Sequence, residues 1–269
     1  MEKIINEPIA GTFGWLHVGG TKVTLPDEIK EQEIALAKGE TKTVFLEDDG
    51  SLLSIKAKLP ENAKLHLILL RRSEAAKSCF TDVRVRLEDG AEFTWHRFIL
   101  GGKETYDNVS VELAGKGSRF AADLGYDLKD EEKADVNCEA IHLGKKSESR
   151  IRSFGVLAKK AGKLLRGTID FRRGCAGSIG NETEDVLLLD DTVHNQSVPM
   201  ILCTEEDVVG NHGATIGRPE ERLLYYMASR GIDETQALEL LSRAKLEAVL
   251  HQIPEEDIQQ TIREAKGWT

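Results

Sequence analysis

Between residues 41 and about 210, apolar and polar residues alternate along short segments that are separated by turn-forming residues. Val83–Leu87 and Val109–Leu113 are two such segments, and the first is followed by the turn sequence Asp89-Gly90. Turn clusters recur about every 10 to 16 residues, with no helical periodicity between them. Alternation with a period of two between regularly spaced turns is typical of β-strands. The long middle region is therefore predicted to be all-β.

A sandwich, a closed barrel and a solenoid would all produce this pattern. The spacing stays uniform over about 160 residues, which favours a solenoid whose successive turns of chain stack on one another. Every second residue of a strand would then point inward and contact its counterpart in the next turn. The residues expected inside are Val83, Val85, Leu87, Val109, Val111 and Leu113. Those expected outside are Arg84, Arg86, Ser110 and Glu112.

Before residue 41 the pattern is mixed. Phe13–Val23 is predicted to form a hairpin, with Gly19-Gly20 supplying the positive φ that a two-residue turn needs. Glu28–Lys38 has a weak helical period. The predicted organisation is a short N-terminal segment (1–40), a β core (41–217) and a C-terminal helical region (218–269).

Three helices are predicted after residue 218. Pro219 begins the first, which ends at Arg230, because proline is tolerated at the first helical position and Gly231 suits a helix C-terminus. Asp233 and Gln236 have the spacing of a capping box for the second helix, and a third follows Pro254. The apolar stripe of the second helix comprises Ala237, Leu238, Leu241, Ala244, Ala248 and Leu250. Packing against the first helix and docking of a partner explain this stripe about equally well.

The negative net charge of the chain argues against some classes of binding partner. The formal net charge of −10 argues against nucleic acid or an anionic membrane as the main partner. The N-terminus does not combine a basic stretch with an apolar one as a secretion signal does, and no run approaches the roughly 20 apolar residues of a membrane helix. We expect a cytoplasmic protein.

Few motifs in the chain suggest catalysis. The phosphate-loop pattern G-x-x-x-x-G-K-[ST] is absent, so no ATP site is expected in this chain. Because no nucleophile elbow or metal-binding tetrad stands out either, we do not expect an enzyme. A carbohydrate-active β-helix enzyme is the rival catalytic hypothesis. The aromatic content of 6% and the helical C-terminus disfavour it.

The four cysteines, Cys79, Cys138, Cys175 and Cys203, include no C-x-x-C pair. Scattered cysteines in a cytosolic protein are usually small buried apolar residues. Cys175 and Cys203 could approach each other in a coiled β architecture, a question that the spacing leaves open.

The region between the predicted strands and helices, Glu206–Gly217, contains three glycines and His212. A histidine in such a segment is more often a hydrogen-bonded structural residue than a ligand. Three motifs, however, follow one another here: Asp207-Val208, His212-Gly213-Ala214-Thr215-Ile216-Gly217, and Leu223-Leu224-Tyr225-Tyr226-Met227 with Ser229-Arg230-Gly231-Ile232. Together they resemble the C-terminal signature of the SufB/SufD family of iron–sulphur cluster assembly scaffold proteins.

This resemblance implies a fold and a set of partners. The fold would be a right-handed parallel β-helix with a C-terminal helical region. The β-helix would pair with a SufB-like paralogue or with a second copy of the chain, and a SufC-like ABC ATPase would dock on the helices. The docking residues would be Leu223, Leu224, Tyr226, Met227, Leu238 and Leu241.

The resemblance also implies a ligand. His212 corresponds to a histidine that, in SufD-type members, contributes to cluster formation at the pair interface. A thiolate is expected beside it, and Cys203 is the candidate for binding a transient iron–sulphur cluster.

The chain departs from the family pattern at three positions. Gly210 stands where SufD-type chains can carry cysteine, Gly213 stands where SufB-type chains carry glutamate, and Asp185 lies near the position of the essential SufB-type cysteine. The chain therefore looks SufD-like and poor in ligands. An adaptor that binds the ATPase but has no role in cluster chemistry is the alternative.

Overall fold

The computed structural model describes residues 2–7, 18–26, 29–48, 50–72 and 78–268. Fourteen strands form two seven-stranded parallel sheets. They are β3 (Ile29–Ile34), β4 (Thr41–Glu47), β5 (Leu52–Leu59), β6 (Lys64–Arg71), β7 (Cys79–Leu87), β8 (Glu92–Ile99), β9 (Glu104–Leu113), β10 (Arg119–Leu128), β11 (Lys133–His142), β12 (Glu148–Leu157), β13 (Gly162–Phe171), β14 (Ser178–Leu188), β15 (His194–Cys203) and β16 (Val208–Gly217). Strands β1 (Glu2–Ile5) and β2 (Thr21–Thr24) form a separate antiparallel pair. The helices are α1 (Glu221–Ser229), α2 (Glu234–Leu250) and α3 (Glu256–Ala265).

The chain winds as a coil because successive strands belong alternately to the two sheets. One sheet has the order β16-β14-β12-β10-β8-β6-β4, and the other has the order β15-β13-β11-β9-β7-β5-β3. Each strand between the two ends of its sheet thus pairs with the strand one turn earlier and the strand one turn later. The predicted parallel β-solenoid is confirmed, with about six turns.

The core lies in the space between the two sheets, which we call the lumen and which is filled by side chains. Register aligns equivalent positions of successive turns, so that Leu59, Leu87 and Leu113 form one inward column. All six residues predicted to point inward are buried. Arg84 and Arg86 are exposed, as predicted.

The helical region folds back over the outside of the even-numbered sheet. Apolar residues of α2 and α3 pack on apolar residues of β6 and β8 and on the adjoining Leu100. Close approach is possible at Gly125 of β10, where an added Cβ would lie 3.2 Å from Leu246. The residues in this contact are Ile68, Leu70, Phe98, Leu100, Leu246, Val249, Leu250, Ile253 and Ile262.

The helices differ in detail from the prediction. The capping box is confirmed, because Asp233 accepts from the Gln236 backbone and Gln236 accepts from the Asp233 backbone. The predicted stripe of α2 is wrong in part. Ala244 and Ala248 are exposed, while Leu246 and Val249 are buried, because this helix packs mainly on the sheet. Helix α1 begins at Glu221 and buries none of its residues.

Two N-terminal predictions also change. The helical period over Glu28–Lys38 is misleading, because β3 occupies Ile29–Ile34 and pairs in parallel with β5. Pairing with a neighbouring strand outweighs weak helical periodicity. Residues 13–17 of the predicted hairpin lie outside the described residues, and β2 pairs with β1. Among the residues described, no helix is long and apolar enough to cross a membrane.

Candidate functional site at the open end of the solenoid

Strands β15 and β16 are the last strands of their sheets. Within the described part of the chain, one edge of each therefore has no partner strand. Three apolar side chains at this end, Ile201, Val209 and Ile216, are 41–51% exposed. The unpaired backbone groups of an edge strand readily pair with another strand, and exposed apolar side chains favour such an association. We call this end of the lumen the open end.

His212 lies at the open end, on the row of β16 that faces the lumen. A Cβ at Gly210 would meet Ile201 and Phe171 of the opposite sheet at 3.1 Å, so the row containing position 210 points inward. His212 is two residues further and belongs to the same row. Its side chain is 30% exposed. The imidazole is therefore accessible from solvent while it contacts the interior.

Glu182 lies beside His212 in the register of β14 and β16. The distance from Glu182 Oε2 to His212 Nδ1 is 3.9 Å, and the Glu182 side chain is only 2% exposed. Burial, together with the negative charge of the adjacent Glu184, raises the pKa of Glu182 to about 7, and Lys163 opposes this shift. Within the described residues, Glu182 Oε2 has no hydrogen-bond partner.

Glu184 points into the same part of the lumen, but both of its carboxylate oxygens already accept hydrogen bonds. Lys163 Nζ bonds to Glu184 Oε1 and lies 3.1 Å from Ser197 Oγ. Ser197 donates to Glu184 Oε2 at 2.5 Å. Burial lowers the pKa of Lys163, and the Glu184 carboxylate opposes that shift. Lys163 and Glu184 thus form a buried ion pair.

Cys203 lies at the C-terminal end of β15, in register with Phe171. Its thiol is exposed and donates to the Glu205 carbonyl at 2.9 Å. Among the described residues, no group of three or more histidine, cysteine, aspartate and glutamate side chains could hold a metal ion. His212 and Cys203 therefore do not form a complete metal site within one chain.

The other three cysteines are buried, as predicted, and all four are free thiols. Burial raises the pKa of Cys79 to about 12 and the pKa of Cys138 well above its usual range. Such thiols are poor nucleophiles and poor ligands. Cys203 is thus the one exposed thiol among them.

Asp185 points to the outside of β14. Its Oδ2 accepts from Lys245 of α2 at 2.6 Å. This ion pair connects the helical region to the sheet.

The residues proposed for partner docking form the surface of α1 and part of α2. Leu223 and Tyr226 are 39% and 55% exposed, and Leu224 and Met227 are half-buried. Leu238 and Leu241 are also half-buried. The most exposed aromatic residue of α1 is Tyr225, at 80%, which the motif contains but the predicted docking set omits. Leu223, Tyr225 and Tyr226 therefore give α1 an exposed apolar surface.

A shallow groove of about 370 Å³ lies beside α2. It is lined by Ile232, Gln236, Glu239, Leu240, Arg243 and Trp268. The Arg243 guanidinium lies 5.3 Å from the centre of the Trp268 ring.

Sequence reasoning missed Glu182, Glu184 and Lys163. The segment Glu182-Thr183-Glu184-Asp185 has the polar composition of a solvated strand face. The available signal was the spacing of Glu182, which precedes His212 by 30 residues, one turn of the coil.

Comparison with known proteins agrees with this architecture. Residues 37–245 match the family described as "SUF system FeS cluster assembly, SufBD core domain". The chain is similar to the iron–sulfur cluster assembly protein SufD of Bacillus subtilis (strain 168), with 26% identity over 176 residues, 65% of this chain and 37% of that protein. It is also similar to SufB of the same organism, with 27% identity over 175 residues, 64% of this chain and 37% of that protein.

A third relative is the SufBD family protein of Mycobacterium tuberculosis (strain ATCC 25618 / H37Rv), with 27% identity over 173 residues, 64% of this chain and 20% of that protein. The matched region thus spans less than two-fifths of the length of each of these relatives.

Proposed function

Because this chain belongs to the SufBD family of the SUF iron–sulfur cluster assembly system, we propose that it is a non-enzymatic scaffold subunit that presents His212 to a cluster at a subunit interface. The observation that carries the proposal is the position of His212 on β16, the edge strand at the open end of the solenoid. The cluster is the cargo of this scaffold.

The open end would be the pairing surface. A second β-helix, from a SufB-like paralogue or another copy of this chain, would associate with β15 and β16. Their unpaired edges and the exposed Ile201, Val209 and Ile216 support this role. A two-fold arrangement of identical chains would bring two copies of His212 to one interface.

His212 would contribute one ligand to the cluster, with Cys203 as the candidate thiolate. A neutral imidazole and a thiolate both suit iron. Since no complete ligand set occurs within the described residues, the remaining ligands would come from the partner. Gly210 and Gly213 offer no ligand atoms on their side chains, which is why the chain depends on that partner.

Helix α1 would carry the docking surface for a SufC-like ABC ATPase. It buries no residue, and Leu223, Tyr225 and Tyr226 project from it. Helix α2 is anchored to the sheet through Lys245 and Asp185, so movement of the helices would reach the strand that lies next to β16. ATP-driven closure of the ATPase could thereby act on the pairing surface.

Light scattering during size-exclusion chromatography tests the docking proposal. The full chain is mixed with the ABC ATPase from the same source, beside a Tyr225→Asp/Tyr226→Asp variant. Ile29→Asp, at an apolar position of β3 that is 56% exposed, is the matched control. A complex with the full chain and the control, but not with the tyrosine variant, is expected. Absence of a complex with the full chain would remove ATPase docking from the proposal.

Anaerobic reconstitution with Fe²⁺ and sulphide tests the cluster proposal. Iron and acid-labile sulphide are measured on the paired chains, with and without His212→Ala. Loss of iron from the variant is expected. Equal iron in both would contradict the ligand role, and the chain would then be an adaptor without cluster chemistry.

A further inference from the structure

We propose that Glu182 is a positioning residue for His212, and that its carboxylate holds the imidazole with the proton on Nδ1 and the free lone pair on Nε2. The inference rests on the proposed function in one respect only, which is the use of Nε2 as a ligand atom. The pairing itself rests on the geometry of the two side chains.

The first observation is the register of the last two strands of the even-numbered sheet. Glu182 and His212 are direct neighbours on β14 and β16, and Nδ1 lies 3.9 Å from Glu182 Oε2. A small change of side-chain torsion would bring this separation to hydrogen-bond length. Metal-ligating histidines almost always donate their second ring N–H to a carboxylate, a carbonyl or water, which sets the tautomer and orients the ring.

The second observation is that, in the part of the chain that the structure describes, one carboxylate oxygen of Glu182 accepts no hydrogen bond, whereas both oxygens of Glu184 do. Glu184 is held by Lys163 and Ser197 on its two oxygens. Glu182 Oε2 lacks a hydrogen-bond partner within the described residues and is buried. Leaving a buried carboxylate oxygen without a donor is costly, and the Nδ1–H of His212, whose nitrogen lies 3.9 Å away, can supply one.

The third observation is the space made for this carboxylate by the opposite sheet. A Cβ at Gly167 would lie 2.2 Å from Glu182 Oε1 and 2.4 Å from its Cδ. Any side chain at position 167 would therefore displace the carboxylate. Gly167 thus allows Glu182 to remain in the lumen beside His212.

The ring's two nitrogens then have different roles. Nδ1 faces the buried carboxylate, and Nε2 lies on the far side of the ring. In water the neutral imidazole prefers the proton on Nε2, which would block the ligand position. Glu182 reverses that preference before any metal arrives.

The test is ¹H–¹⁵N long-range NMR of the metal-free full chain at pH 8, which distinguishes the two neutral tautomers of His212. The Nδ1–H form is expected to predominate in the unmodified protein. Glu182→Met keeps the length of the side chain and removes both carboxylate oxygens, and Gly167→Ala keeps the charge but displaces it. Both are expected to shift His212 toward the Nε2–H form. Glu206→Gln, which removes an exposed carboxylate near the same end, is the control and should cause no shift.

A predominant Nε2–H form in the unmodified protein, or a tautomer unchanged by Glu182→Met, would overturn the proposal. A second measurement uses Fe²⁺ alone, under anaerobic conditions, with the chain bound to its pairing partner. Glu182→Met is expected to weaken iron binding by about 10- to 100-fold. If the paired chains bind no iron but the tautomer responds as described, the cluster role fails and the positioning role stands.

Discussion

The lumen contains two clusters of buried charge, and they differ in how their charges are balanced. In the earlier turns, Arg97 pairs with Asp107 at 2.7 Å and with Asp48 at 2.6 Å, and Arg71 lies close by with a second positive charge. Near the open end, one Lys163 faces two carboxylates, Glu184 and Glu182. The cluster around Arg97 therefore has equal numbers of positive and negative side chains. The cluster around Lys163 has one more carboxylate than it has cations.

This difference separates a structural role from a functional one. Buried charges that are fully paired hold strands in register but leave nothing for a ligand. A carboxylate with a free oxygen beside an exposed imidazole is costly to the fold. We infer that the loss of stability caused by the buried charge of Glu182 is tolerated because Glu182 positions the imidazole of His212.

The largest contrast is expected when one charge is removed from each cluster. Arg97→Met leaves Asp48 and Asp107 buried without their cation and should lower the free energy of unfolding by about 3–5 kcal/mol. Glu182→Gln should leave that free energy unchanged or raise it, because it removes an unbalanced charge. Urea denaturation at pH 8 measures both. A loss of several kcal/mol in Glu182→Gln would show that the two clusters are equivalent.

The apolar parts of the lumen should show a similar contrast. Leu87 is fully buried between Leu59 and Leu113. Leu87→Ala should therefore cost about 2–5 kcal/mol, whereas Ile201→Ala, at a position 41% exposed, should cost less than about 1 kcal/mol. The same denaturation experiment tests this pair. In the complex with a pairing chain, Ile201→Ala is expected to weaken association instead.

Acidity should stabilise the protein through Glu182. Its pKa is about 7 in the folded chain and ordinarily 4.5, so the folded state keeps the proton over a range in which the unfolded state has lost it. The stabilising contribution is complete below pH 4.5 and is lost as pH rises through 7, by about 3 kcal/mol in total. The pH dependence of unfolding, compared with that of Glu182→Gln, measures this contribution. Identical curves would contradict it.

The smallest effect is expected for a charge pair on the outside of the coil. Arg86 and Glu112 lie on neighbouring strands, and each side chain is 45% exposed. Arg86→Ala should cost at most about 1 kcal/mol, since solvent screens exposed pairs. A cost equal to that of Arg97→Met would mean that burial does not determine the strength of these pairs.

The alternation along Val83–Leu87 and Val109–Leu113 was sufficient to predict which residues line the lumen, because a period of two is a local property. The capping residues Asp233 and Gln236 were predictable for the same reason. The parallel order of the strands needed the family resemblance as well, since sandwiches and barrels share the pattern.

The features that could not be predicted from the sequence depend on contacts between residues that are far apart in the chain. Glu182 and His212 are 30 residues apart and become neighbours only through strand register. The sequence around Ile29 has a weak helical period, and its strand forms by pairing with β5. The stripe of α2 was misassigned because the sequence does not reveal that the helix packs on β10 and β12. The motif around His212 identified its segment, while its accessibility follows from β16 being the last strand of its sheet.

The number of turns in the coil also sets the distance between structures attached to it. Neighbouring strands are about 4.8 Å apart, and one turn takes 30 residues between Glu182 and His212. The distance from the helices anchored on β10 and β12 to the open end can therefore change only in whole steps. Duplication of one complete turn would extend that reach by one step and keep every side chain on its original side of the sheet. A single inserted residue must instead be absorbed in a turn such as Lys159-Lys160, where both residues already have positive φ. Insertions confined to a turn leave this distance unchanged, and the turns of the coil already differ in length, from 23 residues between Ile29 and Leu52 to 32 residues between Gly162 and His194.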